Sequence, residues 1–144
     1  MPRINPNKHI RKAYKTALQN IAPIWEKKVP KGTTVPEKYF LISTQTKQSI
    51  ERSKPLSDTD ANVWEWQTSI VVEAIVWQAL GFADSEPIDD LEQALINAIE
   101  AGITVDDFDV KSVIFVDSVP LDTETPTHSI YRRVITYEHW MQEQ

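Results

Sequence analysis

The sequence predicts an α+β fold: one mainly antiparallel β-sheet packed with two α-helices, in the order α-β-β-α-β-β, with a long polar loop or hairpin arm. Three observations lead there. Two segments carry apolar stripes at helical spacing, a long central segment alternates with a period of two, and two closing strand-like segments are joined by a turn-rich connection. With 144 residues, 41% hydrophobic and 25% charged, the chain fits one unit spanning residues 1–144 built around one core.

The first helix is expected over residues 6–21. Asn5 is a good cap, Pro6 suits the first helical position, and Ile10, Ala13, Tyr14, Ala17, Leu18 and Ile21 recur at the spacing of a buried stripe. The opposite face carries Lys8, Arg11, Lys12 and Lys15, which reads as a solvated face or as a contact for phosphate or an acidic partner. Pro23 stops the helix. Residues 24–29 (IWEKKV) read as a short extended segment, followed by a loop punctuated by Pro30, Gly32 and Pro36.

Residues 39–46 (YFLISTQT) have the β-branched and aromatic content of a strand. From 47 to 62 only Ile50 and Leu56 are large and apolar, so this stretch is expected to form the loop or projecting arm. Residues 63–77 are the clearest strand. Trp66, Thr68, Ile70, Val72, Ala74 and Val76 share one face, and Glu65, Gln67, Ser69, Val71, Glu73, Ile75 and Trp77 the other. The second face turns from polar to apolar along its length, which calls for a helix or a neighbouring subunit over its far end. A helix over residues 74–82 is the alternative for the fully apolar part.

A second helix is expected from residue 87 or 88 to about 101. Ser85 is the candidate cap, Asp89, Asp90 and Glu92 lie in the first turns, and Gly102 sits just past the end. Its buried stripe is Ile88, Leu91, Ala94, Leu95, Ala98 and Ile99. Residues 111–119 and 129–140 complete the sheet, joined by a loop rich in Pro, Asp and Thr.

Composition excludes several kinds of chemistry. Without cysteine there are no disulfides, thiolate metal sites or Cys nucleophiles, and a reducing cytoplasm fits best. No apolar run approaches the roughly 18 residues that a membrane span needs, so no membrane partner is expected. Neither a Gly-x-Ser-x-Gly elbow nor a glycine-rich loop is present, the glycines being Gly32, Gly81 and Gly102. His9, His128 and His139 lack a second ligand at helical spacing, so no metal or cofactor is expected. The nearest approach to a catalytic pattern is Asp89 with Asp109 and Lys111, a carboxylate and lysine set of the kind that Mg²⁺-dependent nucleases use. Asp89 reads more simply as a helix N-terminal carboxylate, and Asp106, Asp107 and Asp109 as a solvated turn.

Charge is unevenly distributed. Residues 1–54 hold 12 Lys and Arg against 3 Asp and Glu, and residues 55–144 hold 3 against 18. In a self-assembling protein such halves steer a head-to-tail contact that closes into a ring; the simpler reading is that folding interleaves the charges. Of the tryptophans, Trp25, Trp64, Trp66, Trp77 and Trp140, the pair Trp64 and Trp66 shares a strand face and suits a core or the centre of a subunit interface.

The segment WEKKVPKGTTVPEKYFLI resembles phage tail terminator, or tail completion, proteins. In that family an amphipathic helix leads into a short strand, a Val-Pro-x-Gly loop, a second proline and an aromatic-led strand. The matching positions are Val29, Pro30, Gly32, Pro36, Tyr39, Phe40 and Ile42, with Glu37 and Lys38 intervening between the second proline and the aromatic pair. The element order is similar over nearly the whole chain, including a terminal strand with Arg133, Tyr137 and Glu138. The resemblance implies a virion structural protein, assembled in the host cytoplasm. It would form a homo-oligomeric ring, typically a hexamer, on the last ring of the tail tube, halt tube polymerisation and present a surface to the head-tail connector or neck. DNA would pass through the lumen without specific binding. On this reading the assembly surface comprises Lys8, Arg11, Lys12, Lys15, Arg52, Lys54, Asp58, Asp60, Trp64 and Trp66, with no catalytic, cofactor or metal site. The alternatives are another head completion or neck ring protein and, less favoured, a small metal-dependent nuclease.

Overall fold

The computed structural model describes residues 4–51, 64–80 and 84–144. Its elements are α1 (Asn7–Leu18), β1 (Ile24–Glu26), β2 (Lys38–Glu51), β3 (Trp64–Ala79), α2 (Glu86–Glu100), β4 (Phe108–Pro120), β5 (Thr123–Glu124) and β6 (His128–Glu143). The expected α+β class and order hold, with two short strands added. The strands form one sheet in the order β1-β2-β3-β6-β4, and β5 pairs with β6. Every pairing is antiparallel except the parallel β1–β2 pair.

Helix α1 starts after Pro6, whose carbonyl accepts the Ile10 N–H at 2.9 Å. Asn5 acts one residue further out than expected, its side chain accepting the Asn7 N–H at 3.1 Å. The helix ends at Leu18 rather than Ile21. There the Ile21 and Ala22 N–H groups both turn back to the Leu18 carbonyl, and Pro23 has no N–H with which to continue. Ser85 lies at the start of α2 without capping it through its side chain; Asp84 instead accepts the Glu86 N–H at 3.0 Å. Gly102, at φ 112, turns the chain away from the end of α2 with a conformation that favours glycine.

The stripes pack as expected. Ile10, Tyr14 and Leu18 from α1 and Ile88, Leu95 and Ile99 from α2 are buried against one sheet face, which supplies Phe40, Ile42, Ile70, Val72, Ala74, Ile135, Tyr137 and Met141. Burial of each large aliphatic side chain there contributes about 2 kcal/mol.

Three expectations are corrected. Lys47 does not begin a loop: β2 runs on to Glu51 as one side of an antiparallel pair, matched residue by residue with β3 as far as Glu51 with Trp64. Its polar composition hid the strand, because ladder hydrogen bonds hold it where neither face needs apolar cover. The rest of the expected arm, with Arg52, Lys54, Asp58 and Asp60, lies outside the described residues. The helical alternative for residues 74–82 gives way to strand through Ala79, each residue paired to β6. Finally, among the described residues no helix packs on the apolar end of the second sheet face. Ile75 packs there with Tyr39, Leu41 and Ile130, and Trp25 of β1, Val29 just after it and Trp77 of β3 pack against them.

Candidate assembly surface

The sheet has two edges of opposite character. At one, among the described residues β4 pairs only with β6 and has no partner strand on its other side. Ile114, Phe115, Val116 and Val119 on this strand, and Leu121 just beyond it, are 40–53% exposed. Such an apolar edge is a template for pairing with another chain. Bulges at Lys111 and Val116 interrupt β4 and leave residues 112–115 as a regular run. Sequence reasoning identified this strand but not its exposure. The signal was present in the run Val-Ile-Phe-Val at 113–116, which is apolar on both faces where a one-sided strand would alternate.

At the other edge, β1 covers β2 only at Phe40, Leu41 and Ile42. From Ser43 onward β2 is the outermost strand, with Thr44, Thr46, Lys47 and Gln48 exposed. Between the two edges lies an open sheet face lined by Thr46, Gln48, Gln67, Ser69, Ser112, Ile114, Glu138 and Trp140, which enclose a shallow depression of about 400 Å³. The Trp140 indole N–H donates to the buried Glu65 carboxylate at 2.9 Å and thereby fixes its ring.

The basic face of α1 is partly engaged within the chain. Arg11 pairs with Glu26 and donates to Gln45 at 2.7 Å. Lys15 reaches Glu26 at 3.2 Å, and Lys12 reaches Asp106 at 2.7 Å. The hydrogen bond and charge of Lys12 hold the Asp106 carboxyl below its ordinary range, and Asp106 in turn raises Lys12. Of this face Lys8 and Lys12 are exposed. Trp66 is a core residue at 6% exposure rather than an interface residue, because it faces the helices, where its indole N–H donates to Glu143 at 3.3 Å. Trp64 opens β3. The structure therefore brings Arg11, Lys12 and Lys15 together on one helix face and takes Trp66 away from them.

The least favoured reading loses its geometry. Asp89 lies 3.2 Å from Arg133, which pairs with Pro120 on β4, whereas Asp109 pairs with Gln142. Positions 133 and 142 stand about 30 Å apart along β6, too far for Asp89 and Asp109 to share a metal. Lys111 is the bulge residue and is occupied by Asp109 at 2.7 Å. Among the described residues no group of three or more His, Asp or Glu is placed to hold a metal ion, and no helix is long and apolar enough to cross a membrane.

The three histidines are dispersed. His128 stacks edge-on against Trp77, and His9 lies 3.9 Å from Asp107. His139 is buried, with Nε2 2.6 Å from the Tyr14 hydroxyl and Nδ1 3.0 Å from Thr68 Oγ1. Either neutral tautomer satisfies both bonds, since each hydroxyl can donate or accept. Burial lowers the imidazole to about 4 and raises the Tyr14 phenol, so the network is neutral at pH 7 and links α1 to the sheet.

The architecture is thus an antiparallel sheet with helices on one face and free edges at both ends. The sequence matches no protein-family model and no curated protein. Among solved structures, the fold is similar to that of a chain in the virion of a native gene transfer agent (GTA) particle. The TM-score is 0.68 at 12% sequence identity, over 97% of this chain and 99% of that one.

Proposed function

We propose that residues 1–144 form one tail-terminator-like unit: a virion structural protein that assembles into a ring at the head-proximal end of a phage tail tube, ends tube polymerisation and joins the tail to the head connector. The observation that carries this reading is the end-to-end correspondence of fold with a virion chain, 97% of one against 99% of the other. The two open sheet edges, the exposed apolar strand β4 and the resemblance at Val29, Pro30, Gly32 and Pro36 support it. Ring subunits need heterologous contacts, and two unlike edges on one molecule provide them.

On this reading Lys8, with the neighbouring Arg11, Lys12 and Lys15, and the segment containing Arg52, Lys54, Asp58 and Asp60 contribute to contacts with neighbours, the tail tube or the connector. The acidic remainder of the surface repels DNA passing through the lumen. Purified protein is expected to form closed rings by native mass spectrometry, and labelled copies are expected at the junction of head and tail in electron micrographs. A strictly monomeric protein absent from that junction would contradict the assignment. A neck or head completion ring is the second reading, favoured by the same free edges; counting copies per particle separates sixfold from twelvefold placement.

A further inference from the structure

We propose that neighbouring copies of this chain join edge to edge, the free side of β4 in one copy forming a main-chain β-ladder with the free side of β2 in the next, so that the sheets run on around the ring. The inference rests on the ring reading above and names the contact that builds it.

Three observations carry it. First, among the described residues both strands lack a partner strand on one side, β4 along its length and β2 from Ser43 to its end, and unpaired backbone groups are satisfied most completely by another strand. Second, the directions agree. β2, β3, β6 and β4 alternate in direction, so β2 of a following copy in the same orientation lies antiparallel to β4. Third, the levels agree. Thr46 is level with Ser69, Ser69 with Glu138 and Glu138 with Ile114, which sets the regular run of β4 opposite the uncovered part of β2 when the sheet continues without stagger. The exposed Ile114 and Val116 then gain cover from the neighbour, and a contact between two different edges propagates and closes as a ring instead of ending at a dimer.

The absence of cysteine makes a direct test possible. Thr46→Cys and Ile114→Cys are introduced into the full chain singly and together, with Thr44→Cys and Gln48→Cys replacing Thr46→Cys to scan the stagger. Directly opposed antiparallel residues stand at a separation that a disulfide spans. Under mild oxidation one double variant is expected to give a ladder of covalent oligomers ending at the closed ring. A mixture of the two single variants should stop at dimers, and each single variant alone should remain monomeric on a denaturing gel. Ile114→Cys cross-linking to itself would overturn the proposal in favour of a symmetric β4–β4 contact. Rings seen by native mass spectrometry with no cross-link in the whole scan would overturn the edge contact while leaving the ring reading intact; failure to form rings at all would remove both. As a second variant, Ile114→Lys with Val116→Lys changes only exposed side chains, so the melting temperature should stay within a few degrees while the ring is lost. A ring that persists in this folded variant counts against the contact.

Discussion

His139 is the residue whose burial has the clearest measurable consequence. Its imidazole sits between Tyr14 and Thr68 inside the core, and its affinity for a proton is lowered to about 4 by desolvation. In the unfolded chain the same group titrates near 6.5. Between these values the unfolded state binds a proton that the folded state does not. The stabilisation is therefore fully present above pH 6.5, falls as the pH drops and is gone below about 4, a difference of about 3 kcal/mol. Urea denaturation at pH 7, 5.5 and 4 measures it, and His139→Gln should flatten the slope by about one proton; equal slopes in both proteins would show that the imidazole is not held neutral. Lys27 is a second such position. It sits at φ 67 in the left-handed region, in a turn where the Lys28 N–H bonds to the Glu26 carbonyl at 2.8 Å and its own N–H bonds to the Ile42 carbonyl at 2.8 Å. Lys27→Gly keeps both bonds and relieves the side chain's steric penalty, so the variant should be more stable by about 0.5–1 kcal/mol in the same assay.

At the scale of elements, helix α2 is pinned to the sheet by apolar packing and by one cation. Arg133, 15% exposed at its side chain, lies 3.2 Å from Asp89, 3.4 Å from Glu92 and 3.5 Å from Asp122. It thus ties the first turns of α2 and the segment after β4 to β6. Arg133→Met retains most of the aliphatic stem and leaves three carboxylates near one another without a cation. Because Asp89 and Asp122 are half-exposed and screened, the expected loss is about 1–2 kcal/mol, and added salt should narrow the gap to the parent protein. Both helices and the central strand were legible in the sequence because each has a face that must be buried and whose spacing records it: Ile10, Tyr14 and Leu18; Ile88, Leu95 and Ile99; Ile70, Val72 and Ala74. The end of β2 was not legible, since Thr46, Lys47 and Gln48 need no apolar side and are held by the backbone ladder. β5 was hidden for the same reason, two exposed residues paired to β6. Of the candidate site, the cationic face of α1 could be read from spacing. Its pairing with Glu26 and Asp106 could not, because those partners are brought near only by the fold.

For the whole molecule the open question is whether the segment joining β2 to β3 serves assembly or only connects. Its ends are fixed by the ladder, where Glu51 faces Trp64 across the last pair. Two strands that end directly opposite each other can be closed by a two-residue turn, and Asn-Gly has the backbone preferences that such a hairpin requires. Replacing residues 52–63 by Asn-Gly therefore removes Arg52, Lys54, Asp58 and Asp60 while leaving every described strand pair in place. The shortened monomer should keep its melting temperature to within a few degrees, because the segment is polar in composition, with Leu56 and Val63 its large apolar residues. If the segment reaches a neighbouring copy, the tube or the connector, ring formation or attachment to tails should fall at least tenfold while the fold is retained. Native mass spectrometry measures the ring, and co-sedimentation with assembled tubes measures attachment. Ring assembly that stays intact while attachment is lost would place the segment at the tube or connector. Unchanged behaviour in both assays would show it to be a surface connection, with edge pairing between β4 and β2 sufficient to build the ring.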